Sequence, residues 1–489
     1  MKISRLMSTQ HPDNVNTPFF ARDPVIGGDD EIQEAFYVYS HLKIDEQLWD
    51  AEGKEVDSFV VEKLFSRYSS YFRENILGRD KFLTLRLPNP DVEPTQGKIL
   101  LESLHSIPRN FDLARAFYQE DIPPVFEVVL PMCRSEKNIT RVHQYYLKHI
   151  IDHQHLPVLD KDVTIGSWLG RFQPSDIRVT PLFETKEAIL NSAVSVERYV
   201  RSEKIRDLQR VWFARSDPAL NYSSTAAVLL VKIALYRMHE LEKKLGMEIL
   251  PIVGCGSAPF RGNFKPTNVL DMARGYPSVQ TFTVQSAFKY DYPLRQVLEA
   301  IEQINCTKRG SPLFIDADLA ERYIEKMEKD YVKSIMQLAP VVNLMSTYVP
   351  QRRRRKLHTG LFGYSRSSKG VALPRAIKFC SALYSLGLPP EVLGLSALKP
   401  DEIHVIRGFY HGIDNDMADA LQFVNRRNLD YFPWSVRRKI NRVLEMFDFR
   451  VNAEHEEITT EILAALKKQD IHRVQEGILK AAHIRRFLG

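Results

Sequence analysis

Between residues 82 and 304 the chain changes its hydrophobic period repeatedly. Six runs, 82–87, 125–130, 178–183, 210–214, 249–254 and 279–284, are rich in Val, Ile, Leu, Phe and Thr, and most are bounded by Pro, Gly or Asp. Apolar residues at three- and four-residue steps fill 185–204, 225–245 and 292–304. In 225–245 the Ala, Leu, Ile and Met positions follow that step and the charges fall elsewhere. Strands separated by helices predict a parallel sheet or a closed β/α barrel. Beyond Asp318 the helical pattern dominates to the end. No repeat, Gly/Ser linker or low-complexity stretch divides the chain, so residues 1–489 are read as one unit with a helical C-terminal extension.

That layout tells where chemistry should sit, because active residues of a β/α barrel gather at the carboxyl ends of its strands. Arg134, Glu184, Asp217, the loop 254–262 and Gln285 each lie at or just past the end of a run. Glu184 and Asp217 are candidate metal ligands. A hard Mg²⁺ or Mn²⁺ takes one or two carboxylates and completes its shell with water and substrate oxygens. The bland reading of Glu184 is an acid in the first turn of a helix. The stretch Gly254-Cys255-Gly256-Ser257-Ala258-Pro259-Phe260-Arg261-Gly262 combines glycines, which let a backbone approach closely, with an arginine, so it can hold a phosphate. It lacks the Gly-Lys-Ser/Thr ending of a Walker A loop.

A second candidate lies near the start. Ser8-Thr9-Gln10-His11-Pro12-Asp13-Asn14 places a proton-exchanging imidazole beside a proline that fixes the backbone. The plain alternative is a surface turn at a loose terminus. The His-Pro-Asp loop of J-domain co-chaperones is excluded, because that loop follows a basic helix for which the residues before His11 leave no room.

Other function classes are bounded by composition. No run of about 18 uncharged apolar residues is present, so no membrane span or membrane partner is expected. The N-terminus has no apolar signal core, and the four cysteines form no CxxC pair, so the chain reads as cytoplasmic, without a zinc or disulfide framework. The 67 basic and 61 acidic residues leave a net charge of +6, which a local site for an anionic substrate explains as well as nucleic acid would. The run Arg352-Arg353-Arg354-Arg355-Lys356 lacks interleaved aromatics and a reading helix, so it is read as a solvated face or subunit contact, not a nucleic-acid site.

The segment 8–14, Pro181-Leu182-Phe183-Glu184-Thr185, Ser216-Asp217, the 254–262 loop and Leu373-Pro374-Arg375-Ala376-Ile377, in that order, resemble phosphoenolpyruvate carboxylase of the short archaeal type. The resemblance implies a (β/α)8 TIM-type barrel with many added helices. It implies a reaction joining bicarbonate to phosphoenolpyruvate with Mg²⁺ or Mn²⁺, in a homotetramer. By the matched motifs, His11 and Arg261 would be catalytic, and Glu184 and Asp217 would hold the metal. Arg134, Arg366, Arg375, Gln285 and Gly262 would bind substrate, with the match at Arg134 loose. Gln285 and Lys289 lie in an altered segment where either could touch substrate or close the barrel rim. The C-terminal glycine would tuck in near the active site. The chain departs from the long form at Val253, Cys255 and Leu220, where that form has histidine, arginine and lysine. Two alternatives remain open: another Mg²⁺-dependent barrel lyase acting on phosphoenolpyruvate or a 2-oxo acid, and a basic RNA-binding protein.

Overall fold

Eight strands are parallel neighbours in sequence order: β1 (Leu6–Ser8), β2 (Glu46–Asp50), β3 (Phe82–Arg86), β4 (Val125–Leu130), β5 (Val179–Phe183), β6 (Leu208–Ala214), β7 (Glu248–Gly254) and β8 (Thr281–Val284). β1 pairs with both β2 and β8, which closes the barrel. This is a computed structural model, describing residues 3–51, 57–354, 366–368 and 371–489.

The six predicted runs are β3 to β8. The first two strands were not visible as runs. β1 is three residues long, and β2 reads Glu-Gln-Leu-Trp-Asp, with acids at both ends. Every residue of β2 is nevertheless buried, because alternate side chains point into the barrel.

Period-two alternation stacks the barrel interior in layers. At the amino ends of the strands, the Arg210 guanidinium donates to Glu46 and Glu127, at 2.7 Å and 2.8 Å. Thr84 and Thr180 hydroxyls donate to the same carboxylates, adding to a buried charge cluster. Two residues on, Leu48, Val129, Leu182, Trp212 and Ile252 join Met7 in an apolar plug. Two residues further, Asp50, Glu184, Ala214 and Gly254 reach the mouth. An apolar layer therefore separates the charge cluster at the amino ends from the polar mouth at the carboxyl end.

The pattern over 185–204 breaks at Asn191 into helices Lys186–Leu190 and Ser192–Ser202. The 225–245 pattern is helix Ser224–Leu245, whose first half is buried on all sides. It packs against β7 on one flank and the long helix Ala317–Tyr348 on another, tying the barrel to the helical half. An antiparallel hairpin, Arg366–Ser368 with Val371–Leu373, leads into helix Ala376–Ser385, and helices continue to Arg485.

Candidate active site

Residues 8–15 are neither a surface turn nor a loose arm. They continue β1 across the barrel mouth, and Thr9, Gln10, Asp13 and Asn14 are buried. The Lys289 ammonium donates to the Ser8 hydroxyl at 3.0 Å and the Thr9 carbonyl at 3.1 Å. The Asp50 backbone N–H donates to the Gln10 side-chain oxygen at 3.1 Å. The Asp13 carboxylate accepts from the Ala287 N–H at 2.7 Å and from Arg261 at 3.2 Å. Burial pushes the Asp13 carboxyl above its ordinary range, while Arg261 and backbone N–H groups pull the other way. Asp291 then accepts from the N–H groups of Val15 and Asn16. Fixed at both ends, His11 faces the cleft with its Nδ1 2.9 Å from the Thr9 hydroxyl.

Arg261 is the hub. Its guanidinium donates to Gln285 at 2.5 Å, to the Ser216 hydroxyl at 3.2 Å and to the Gly489 carbonyl at 2.8 Å. Gly256 makes room for this. A Cβ there would lie 2.9 Å from both the Arg261 guanidinium and the Gln285 oxygen. The C-terminus joins in, since the Leu488 N–H donates to the Asp13 carbonyl at 2.7 Å. The terminal glycine is thus tucked in beside the cleft, as the resemblance implies.

Around these groups the cleft is lined by Glu184 after β5, Ser216 and Asp217 after β6, and Arg375 at the start of helix Ala376–Ser385. Asp50 and Arg86, from the ends of β2 and β3, complete one wall as a bidentate pair at 2.8 Å and 2.7 Å. Among the described residues no group of three or more His, Cys, Asp and Glu forms a ready metal cluster. Glu184 and Asp217 supply two hard oxygen donors on one cleft. That set suits a Mg²⁺ or Mn²⁺ whose remaining positions go to water and substrate.

The whole-chain comparisons agree with this geometry. Residues 3–489 match the family model for phosphoenolpyruvate carboxylase. Curated proteins of that name from Methanospirillum hungatei and Methanothermobacter thermautotrophicus are each 47% identical over 489 residues, covering 100% of both chains. One from Pyrococcus abyssi is 46% identical over the same span. The chain belongs to the phosphoenolpyruvate carboxylase family.

Measured against what sequence motifs assign in a phosphoenolpyruvate carboxylase, His11, Glu184, Asp217, Arg261, Gln285 and Arg375 come together in one cleft. Two others, Arg134 and Gly262, do not. Arg134 follows β4, but it is exposed and absent from the cleft wall. Gly262 is also off the wall and serves the turn: its φ is +123°, and a Cβ would lie 2.8 Å from that of Cys255. The backbone of Arg366 pairs with Leu373 in the hairpin, but its side chain is outside the described residues, as are Tyr364 and Ser365. Lys289 positions the His11 segment instead of lining the cleft.

The basic run is a solvated face only at Arg354, which is exposed. Arg353 is buried and pairs with Glu31 and Glu34, and Arg352 is buried too, while Arg355 and Lys356 lie outside the described residues. Sequence reading missed Gln10, Asp50, Arg86 and Arg215 on the cleft wall. Arg86 ends a strand that was recognised, so the strand-end rule could have found it.

Proposed function

We propose that this cleft carries out the family reaction, joining bicarbonate to phosphoenolpyruvate to give oxaloacetate and phosphate. The observation that carries the reading is the convergence of His11, Arg261, Gln285 and Arg375 with two carboxylates on one part-enclosed cleft. The substrates bring a phosphoryl group, a carboxylate and a second small anion. Arg261 and Arg375 offer the planar fork that binds such groups and stays charged at neutral pH. Asp13 and Gln285 hold the Arg261 fork in place before substrate arrives.

In the reaction proposed, a bicarbonate oxygen attacks the phosphorus, and the bond from phosphorus to the enol oxygen breaks. This leaves carboxyphosphate and the enolate of pyruvate. The arginines neutralise the phosphoryl oxygens, which is most of what a loose phosphoryl transfer asks of a protein. His11 takes the proton of carboxyphosphate. The Thr9 hydroxyl, 2.9 Å from Nδ1, orients the ring for that exchange. Carboxyphosphate then splits into CO₂ and phosphate, and the enolate carbon attacks the CO₂. Leu182, Trp212 and Ala214 line the cleft with apolar surface that limits water, which would otherwise protonate the enolate to pyruvate. A Mg²⁺ or Mn²⁺ held by Glu184 and Asp217 would act as a Lewis acid on the enolate and phosphoryl oxygens.

The assembly proposed is a homotetramer in the cytoplasm, following the family resemblance. No helix among the described residues is long and apolar enough to cross a membrane. The test is coupled oxaloacetate formation by the purified chain, with bicarbonate and divalent cation each withheld in turn. Production should need both. Turnover of phosphoenolpyruvate that ignores bicarbonate would move the reading to another Mg²⁺-dependent lyase. Light scattering on the same sample tests the tetramer.

A further inference from the structure

Four arginines in the described structure are exposed by 2% or less: Arg210, Arg215, Arg261 and Arg353. Three of them are paired with carboxylates, the usual arrangement for a buried charge. Arg210 binds Glu46 and Glu127, Arg353 binds Glu31 and Glu34, and Arg261 binds Asp13. Arg215 has no carboxylate within 4 Å among the described residues. Among the described residues its guanidinium makes one hydrogen bond, from Nη1 to the Tyr276 hydroxyl at 2.9 Å. Its Nε is buried and makes no hydrogen bond, as is also true of Arg210 and Arg353, so the missing carboxylate is what sets Arg215 apart.

The surroundings do not supply the missing charge. Asp416 is the acid that acts on Arg215 from a distance, and it is already engaged by the Tyr410 hydroxyl and by the Asn263 amide at 2.7 Å. Tyr276 has a second basic neighbour, not an acid. The Lys232 ammonium lies 4.6 Å above that ring and donates to the Gly275 carbonyl. A guanidinium remains protonated at any physiological pH, so the group cannot escape its burial by losing a proton. Yet Arg215 is on the wall of the cleft with Glu184, Asp217, Arg261 and Gln285.

We propose that Arg215 binds an oxyanion of the substrates in this cleft, and that this anion is the counter-charge the protein leaves out. The oxyanion is one chemistry with two sources: the phosphoryl or carboxyl group of phosphoenolpyruvate, or bicarbonate. Arg215 supplies a cation on a wall where the buried neighbours Leu220 and Cys255 supply none. The inference rests on the cleft being the reaction site.

The test compares Arg215→Met and Arg215→Lys with wild type and with Asp217→Asn, reading kcat, both KM values and the thermal midpoint without substrate. Arg215→Met should raise one KM by about tenfold or more, the expected loss of a charge-assisted hydrogen bond. A rise for phosphoenolpyruvate names that substrate as the source, and a rise for bicarbonate names the other. Its thermal midpoint should hold or increase, since no ion pair is removed. A structural arginine would do the opposite, lowering the midpoint and leaving both KM values within twofold, and that result overturns the proposal. Should the Met variant not fold, Arg215→Lys decides, because it keeps the charge but loses the fork: wild-type constants there reject the role. If Asp217→Asn is impaired and Arg215→Met is not, only this proposal fails. If neither is impaired, the cleft assignment itself fails.

Discussion

A proton acceptor needed late in a reaction can be removed without stopping the early step, and the products then tell the order. His11→Asn should lose oxaloacetate formation while keeping some bicarbonate-dependent release of phosphate, with pyruvate as co-product. The stranded enolate picks up a proton when CO₂ is not delivered. Loss of phosphate release as well, with the fold intact, would put His11 in the first step. Near-normal oxaloacetate would remove it from the mechanism. Gly256→Ala tests the neighbouring hub. The new methyl would lie 2.9 Å from the Arg261 guanidinium, so the arginine must move while the backbone need not. Turnover should drop by about tenfold or more, as for a misplaced reacting group, with a thermal midpoint within a few degrees of wild type. Unchanged turnover would mean that the position of Arg261 is not critical. The wall residues were legible to different degrees for a physical reason. Glu184, Asp217 and Gln285 follow clear apolar runs, so the strand-end rule flags them. Asp50 ends a strand whose inward residues are mostly polar and leave no hydrophobic signature.

At the scale of elements, the first two strands were hidden because a barrel interior tolerates charge when the charge is paired. The same applies to the support of β1. Glu34, on helix Asp29–Ser40, is buried and accepts from Lys289 at 3.0 Å, Arg353 at 2.7 Å and the Tyr290 hydroxyl at 2.8 Å. Lys289 in turn holds Ser8 and Thr9. In sequence, Arg353 looked like part of a surface run, because adjacency of cations says nothing of a helix folding two acids onto one of them. Glu34→Gln should cost about 3–5 kcal/mol, since it leaves the buried Lys289 without its carboxylate and Arg353 with Glu31 alone. Activity should decline with it as the His11 segment loosens. Burial alone would raise the Glu34 carboxyl, but Arg353 and Lys289 outweigh it and pull it down to about 2, from 4.5. This contribution is therefore complete above pH 4.5 and is lost as pH falls toward 2. Urea midpoints at pH 7 and pH 4 for both proteins check it; a midpoint at pH 7 equal to wild type would show that the pair contributes nothing.

At the scale of the whole molecule, the cleft is assembled from both ends of the chain, and that junction depends on one neutral histidine. His455, on helix Ala453–Lys467, is fully buried, and its Nε2 accepts from the Arg485 guanidinium at 2.9 Å. Arg485 lies over the rings of Tyr384 and Phe487 and three residues before Leu488, whose N–H holds the Asp13 carbonyl. Burial, with Arg485 adding to it, pushes the His455 imidazole down to about 2 from 6.5. The unfolded chain therefore binds a proton below pH 6.5 that the folded chain refuses. Stability from this group is whole above pH 6.5 and falls by about 1.4 kcal/mol for each unit below it. His455→Gln keeps an oxygen that can accept from Arg485 and removes the titration. Between pH 6.5 and 5.0 the wild type should lose about 2 kcal/mol more than the variant, read from urea unfolding at each pH. Because Arg485 neighbours the segment that latches onto Asp13, oxaloacetate formation at pH 5.5 should also survive better in the variant, relative to its own rate at pH 7.5. Parallel stability curves for the two proteins would show that His455 takes no part, and the acid sensitivity would then have to come from the buried carboxylates around the barrel mouth.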